Sequence, residues 1–146
     1  MAHDQREKDW GRVIVTQRKS LQVPVDGGLS LLFAKGKRPL RSDIARLAAQ
    51  RIAATEGGFS LGHQGEATSG RIEMIACGLS FDLSGLAPAS PCRLPQIAHR
   101  FGDADSANLA DAEAVTLDVG EHLAGGQALL PVVRAMMGLA ARLAGL

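Results

Sequence analysis

Lys35 to Ser42, KGKRPLRS, is the most basic stretch of the chain. It runs into a helical pattern, with Ser42 as the expected N-cap and Asp43 in the first turn. A helix start presents free backbone N–H groups and the positive end of its dipole, so basic side chains beside it favour an anion. Lys35, Lys37, Arg38, Arg41 and the Ser42 hydroxyl are the candidate anion donors. Glycines are sparse and no GxxxxGK[ST] sequence is present, so a nucleotide-cradling loop is not supported. The plainer reading is a solvated loop whose charges aid solubility.

Gly58-Phe59-Ser60-Leu61-Gly62 has the G-x-S-x-G spacing of a nucleophile elbow, and this pattern resembles that of serine esterases. Asp118 and His122 follow in the elbow order of serine, acid, histidine. An elbow needs a strand before the serine and a helix after it, so that the hydroxyl projects from a sharp turn. Here a helical pattern precedes Ser60 and a glycine-rich polar loop follows. No oxyanion-type loop lies upstream. The mechanics therefore argue against a hydrolase. A short strand, Phe59 to Leu61, leading into a hairpin loop is the simpler expectation.

His3, His63, His99 and His122 are widely scattered, and no pair has the spacing of a local metal site. Neither a metal nor another cofactor is expected. Cys77 and Cys92 form no CxxC pair, and free thiols in a reducing compartment are expected. Cys77 reads as a small buried hydrophobe within a strand.

From Gly85 to Ala112 the periodic pattern dissolves. Pro88, Pro91 and Pro95 interrupt it early, and GDADSANLADA is small and acidic. So long a connection is uncommon in a compact domain and usually serves as a lid or a mobile segment. Leu94, Ile97 and Phe101 are the expected anchors of its middle. His99, Arg100 and His122 are the candidate cleft residues.

The elements that must position these groups centre on Arg71 to Leu86, RIEMIACGLSFDLSGL. Leu79, Phe81 and Leu83 alternate with Ser80, Asp82 and Ser84, which marks a half-buried strand with one wet face. Ile72, Met74 and Ala76 alternate in the opposite phase. The parity changes at Cys77-Gly78, so a bulge or a turn sits there. The expectation is one long bent strand near the middle of a sheet.

Further strands are expected at Arg12 to Thr16, Leu21 to Val25, Leu29 to Ala34 and Ala114 to Val119. Pro24 makes the second an edge strand or extended loop. With the turn at Asp26-Gly27-Gly28, these first strands form a hairpin or a three-strand meander. One helix is expected from Asp43 to Thr55, stopped by Gly57-Gly58. A second is expected from Leu130 to Ala144, with Pro131 in its first turn. Its apolar residues wrap most of its circumference. A strip containing Arg134, Gly138, Ala141 and Arg142 is left, where another helix could approach closely. Arg134 near the centre disfavours a membrane span.

The 146 residues suit a single domain, 1–146, with 1–9 as a disordered tail and Trp10 starting the ordered part. The start, MAHDQREKDW, lacks the apolar region of a secretory signal. Net charge is +1, but residues 1–60 hold 11 Lys/Arg against 6 Asp/Glu and residues 61–146 hold 5 against 9. With 3% aromatic residues, the chain offers few rings for base stacking, and nucleic acid is not expected.

The fold class expected is α+β, a mainly antiparallel twisted sheet of five to seven strands with two helices packed on one face. The function expected is that of a cytoplasmic, non-enzymatic binding or protein-interaction module. It would self-associate or meet a protein partner, take a small anionic ligand, and have no membrane contact. The alternative is a small enzyme with its site under the loop 88–101.

Overall fold

The computed structural model describes residues 28–96, 109–123 and 125–146. Trp10, the first two expected strands, the tail at 1–9, Ile97, His99, Arg100 and Phe101 lie outside these residues.

Alternation along the strands builds the core. β1 (Leu29–Phe33), β2 (Ser60–Leu61), β3 (Arg71–Ala76), β4 (Leu79–Ser84) and β5 (Glu113–Val119) form an antiparallel sheet in the order β1-β5-β4-β3-β2. Ile72, Met74, Phe81, Leu83, Val115 and Leu117 are each at most 1% exposed and share one face. They form one cluster with residues from two helices, α1 (Arg41–Ala49) and α2 (Leu130–Leu143). The fold is thus α+β, with a helix-covered face and an opposite face that carries Arg71, Glu73, Ser80, Asp82, Thr116 and Asp118.

The stretch Arg71 to Ser84 is a hairpin and not one continuous bent strand. Cys77 (φ 53°) and Gly78 (φ 74°) form its two-residue turn. Positive φ at both central residues matches the twist of the flanking strands. The turn absorbs the parity change, so Ile72, Met74 and Ala76 share the core face with Phe81 and Leu83 through the pairs Ile72↔Leu83 and Met74↔Phe81. Cys77 is consequently exposed at the turn, not buried in a strand.

α1 begins and ends earlier than its sequence pattern indicates. Leu40 is its N-cap, so Ser42 lies inside the first turn. The Asp43 carboxylate accepts the Leu40 N–H at 2.8 Å, which satisfies an orphan donor and places negative charge at the helix start. At the other end, Arg142 of α2 donates to the Leu47 carbonyl (3.3 Å), the Gln50 side-chain oxygen (2.8 Å) and the Gly57 carbonyl (3.2 Å). At Leu47 the guanidinium serves a carbonyl that a longer helix would have bonded itself. Ile52, within the helix expected from Asp43 to Thr55, falls beyond α1 and is exposed.

α2 has Pro131 in its first turn as expected. Val132, Ala135, Met136, Leu139, Ala140 and Leu143 are buried, whereas Leu129 and Leu130 are 61% and 59% exposed. A helix lying on a sheet buries one stripe, and the apolar residues here wrap wider than that stripe. Gly138 on the small-residue strip receives the chain itself: a Cβ on Gly57 would sit 2.7 Å from the Gly138 carbonyl oxygen. No helix among the described residues is long and apolar enough to cross a membrane.

Candidate functional site

The open face of the sheet is polar because β3 and β4 carry polar residues at alternate positions. Their two-residue turn fixes the register, which sets Glu73 directly opposite Asp82. The β4–β5 ladder sets Asp82 directly opposite Asp118. Three carboxylates therefore form a row straight across three neighbouring strands. Opposed side chains in such ladders have Cβ atoms about 4.5–5.5 Å apart.

A cleft of about 530 Å³ lies over this face. Arg71 and Glu73 of β3 and Ser80 and Asp82 of β4 form its floor. The loop between β2 and β3 supplies one wall through His63, Gly65, Glu66 and Ser69, and Gly120 to His122 supply the other. Among the described residues, no apolar side chain lines it. The volume falls in the range of small-molecule sites, roughly 300–1,000 Å³, and the charged and polar side chains around it suit a polar ligand.

Glu73 anchors the arrangement. Its carboxylate accepts the Ser80 hydroxyl at 2.5 Å and the His63 N–H at 2.7 Å. The Ser80 bond, followed by the His63 backbone bond, holds this carboxyl below its ordinary range, so it stays charged further into acid. Two glycines permit the geometry. A Cβ on Gly62 would meet Glu73 Oε2 at 2.3 Å, and one on Gly120 would meet Ser80 Oγ at 2.6 Å. Arg71 donates to Asp82 at 2.8 Å, and this bond first, then the Asp82 charge, raises the guanidinium pKa. Among the described residues, four lining carboxylates (Glu66, Glu73, Asp82, Glu121) stand beside one lining guanidinium, that of Arg71.

The residues of the basic loop do not gather at one point. Lys35 and Lys37 are exposed. Arg38 turns inward, its side chain 9% exposed, and bonds Glu113 (2.8 Å) and the carbonyls of Gly85 (2.6 Å) and Ala89 (2.8 Å). Arg41 donates from both terminal nitrogens to the Gln64 and Glu66 carbonyls. Ser42 is exposed within α1. Of the candidate cleft residues, His122 lines the cleft. Ser60 of the G-x-S-x-G sequence is an exposed residue of β2, paired with Ile75 and outside the cleft that holds His122. Among the described residues, no group of His, Cys, Asp and Glu could hold a metal ion.

Arg71, Glu73, Ser80 and Asp82 were not among the candidates from sequence. The signal was present in the wet face Ser80, Asp82, Ser84. It becomes a site only when Cys77-Gly78 is a turn that folds Glu73 against Asp82. No protein-family model, curated protein or solved structure matches this chain.

Proposed function

We propose that this protein is a non-enzymatic binding module of the cytoplasm whose cleft on the open sheet face recognises a polar cation bearing ammonium or guanidinium groups. The observation that carries this reading is the row Glu73, Asp82, Asp118 across the open sheet face together with a cleft that, among the described residues, is lined by four carboxylates and one guanidinium. Like charges set directly opposite one another destabilise a sheet. A bound cation would join Arg71 in offsetting the charge of this row. At the basic loop Arg38 and Arg41 are committed to internal acceptors, as Glu73 and Asp82 are to internal donors, so the reading rests on the excess of carboxylates lining the cleft among the described residues. Cys77 and Cys92 carry thiols and form no disulfide, which fits a reducing compartment. Self-association is supported by exposed Leu129, Leu130 and Val133 at the start of α2.

The test is a thermal-shift titration with spermidine and arginine methyl ester against phosphate, with light scattering in parallel. The reading requires stabilisation by the cations alone. It also requires loss of that stabilisation in the Glu73→Gln/Asp82→Asn double variant while the fold is kept. Stabilisation by phosphate alone would return the ligand to the basic loop. A monomeric mass at all concentrations would remove self-association.

A further inference from the structure

We infer that Arg41 is a positioning residue for the cleft, fixing from outside the wall that carries His63 and Glu66; this rests on the cation-binding reading above. The wall loop is tied to the sheet at its two ends. Gly62 N–H donates to the Glu73 carbonyl (2.9 Å), Glu73 N–H to the His63 carbonyl (3.0 Å), and Leu86 N–H to the Gly70 carbonyl (3.0 Å). Between those ends the loop is exposed from His63 to Ser69. Ser69 closes a turn there, its N–H and hydroxyl both meeting the Glu66 carbonyl, and its Oγ accepts the Arg71 N–H of β3 (3.3 Å). Arg41 reaches this middle section from the first residue of α1, one nitrogen on the Gln64 carbonyl and one on the Glu66 carbonyl. The α1 start is itself held, through the Asp43 bond to Leu40 N–H and through buried Ile44.

The guanidinium fork is suited to this task. It is planar and presents paired donors at fixed spacing, so it sets two carbonyls relative to each other as well as to the helix. The carbonyls flank Gly65, whose positive φ of 56° turns the chain at the cleft rim. Arg41 thereby determines where the Glu66 carboxylate stands relative to Glu73 and Asp82, without itself lining the cleft.

Charge separates this role from a purely electrostatic one. Arg41 places a positive charge close to an acidic cleft. If it acted through its field alone, Arg41→Gln would tighten cation binding. If it positions the wall, the same substitution weakens binding, because the loop opens and the carboxylates lose their relative placement.

The experiment uses the full chain as wild type, Arg41→Gln and Arg41→Lys. It measures hydrogen exchange of the Ser69 amide, which bonds the same Glu66 carbonyl that Arg41 holds, together with thermal midpoint and spermidine affinity by calorimetry. Arg41→Gln should raise exchange at this amide, leave the midpoint nearly unchanged, and weaken spermidine affinity roughly tenfold, the equivalent of one lost charge-assisted hydrogen bond. Arg41→Lys, a flexible point charge, should restore the charge but only part of the exchange protection and affinity. Unchanged exchange with equal or tighter binding in Arg41→Gln would overturn the inference. If wild type fails to bind spermidine, the cation reading falls and with it the effect on binding. The exchange arm then shows independently whether Arg41 holds the loop.

Discussion

Asp82 and Asp118 stand directly opposite each other on β4 and β5, with the Arg71 guanidinium bonded to Asp82 at 2.8 Å. Arg71 also feels the charges of Glu121 and Asp118. It is therefore the main charge that tempers this acidic face. Replacing it with glutamine should cost about 0.5–1 kcal/mol, within the range of partly exposed pairs. The loss should shrink in high salt, where both the attraction and the uncovered repulsion are screened. Urea midpoints at low and high salt measure this. A loss insensitive to salt would mean that the Arg71 stem, and not its charge, matters.

The ionisation of Glu73 gives a pH signature. Its folded-state pKa is lowered, chiefly by the Ser80 hydroxyl. A lowered value means that folding favours the charged form. The resulting stabilisation is complete above the ordinary carboxylate range and disappears as pH falls through the lowered folded value. Wild type should therefore exceed Glu73→Gln in stability at neutral pH, and the gap should close in acid. In Ser80→Ala the Glu73 carboxyl should titrate at higher pH, which a side-chain NMR titration reads directly. A gap that widens toward acid would contradict the assignment.

The contact between Gly57 and Gly138 leaves no room for a side chain. Gly57 has φ 82°, and a Cβ there would lie 2.7 Å from the Gly138 carbonyl and 3.0 Å from the Arg142 stem. Gly57→Ala combines backbone strain with this clash and should destabilise by about 2 kcal/mol or more. The same change at Gly78, where φ is 74° but no atom lies within 4 Å of the added Cβ, should cost less. Chemical denaturation of the two variants compares them. Equal losses would show that strain alone sets the cost.

α2 should prove sharply two-sided. Met136 is 5% exposed, and Met136→Asp puts a carboxylate into the cluster without a partner, at a cost above about 3 kcal/mol. Leu130→Asp on the exposed side should cost less than about 1 kcal/mol. Truncation after Gly126 should leave the sheet face bare and the protein insoluble. A soluble truncated chain that unfolds cooperatively would show that the helix is peripheral.

Periodicity revealed the core before geometry did. Leu79, Phe81 and Leu83 declare their face, as do Ile72, Met74 and Ala76, and Pro131 marks the start of α2. What periodicity cannot separate is a bulge from a turn, since either shifts parity by one residue. That ambiguity at Cys77-Gly78 also concealed the site, because the placement of Glu73 against Asp82 depends on register. The limits of α1 were hidden for a different reason. They depend on Asp43 reaching back to Leu40 and on Arg142 arriving from 92 residues away at Gln50. Long-range partners of this kind leave no local pattern.

Among the described residues the helices cover one side of the sheet, and along each strand the two sides are read by alternate residues. Core and surface are thus written in separate sets of positions on the same strands. Residues 73, 80, 82 and 118 can be exchanged with little disturbance to the packing of 72, 74, 81 and 83. Such a sheet works like a fixed plate with a replaceable print. The backbone of this face stays constant while the chemistry it presents is open to revision, one position at a time, by selection or by design.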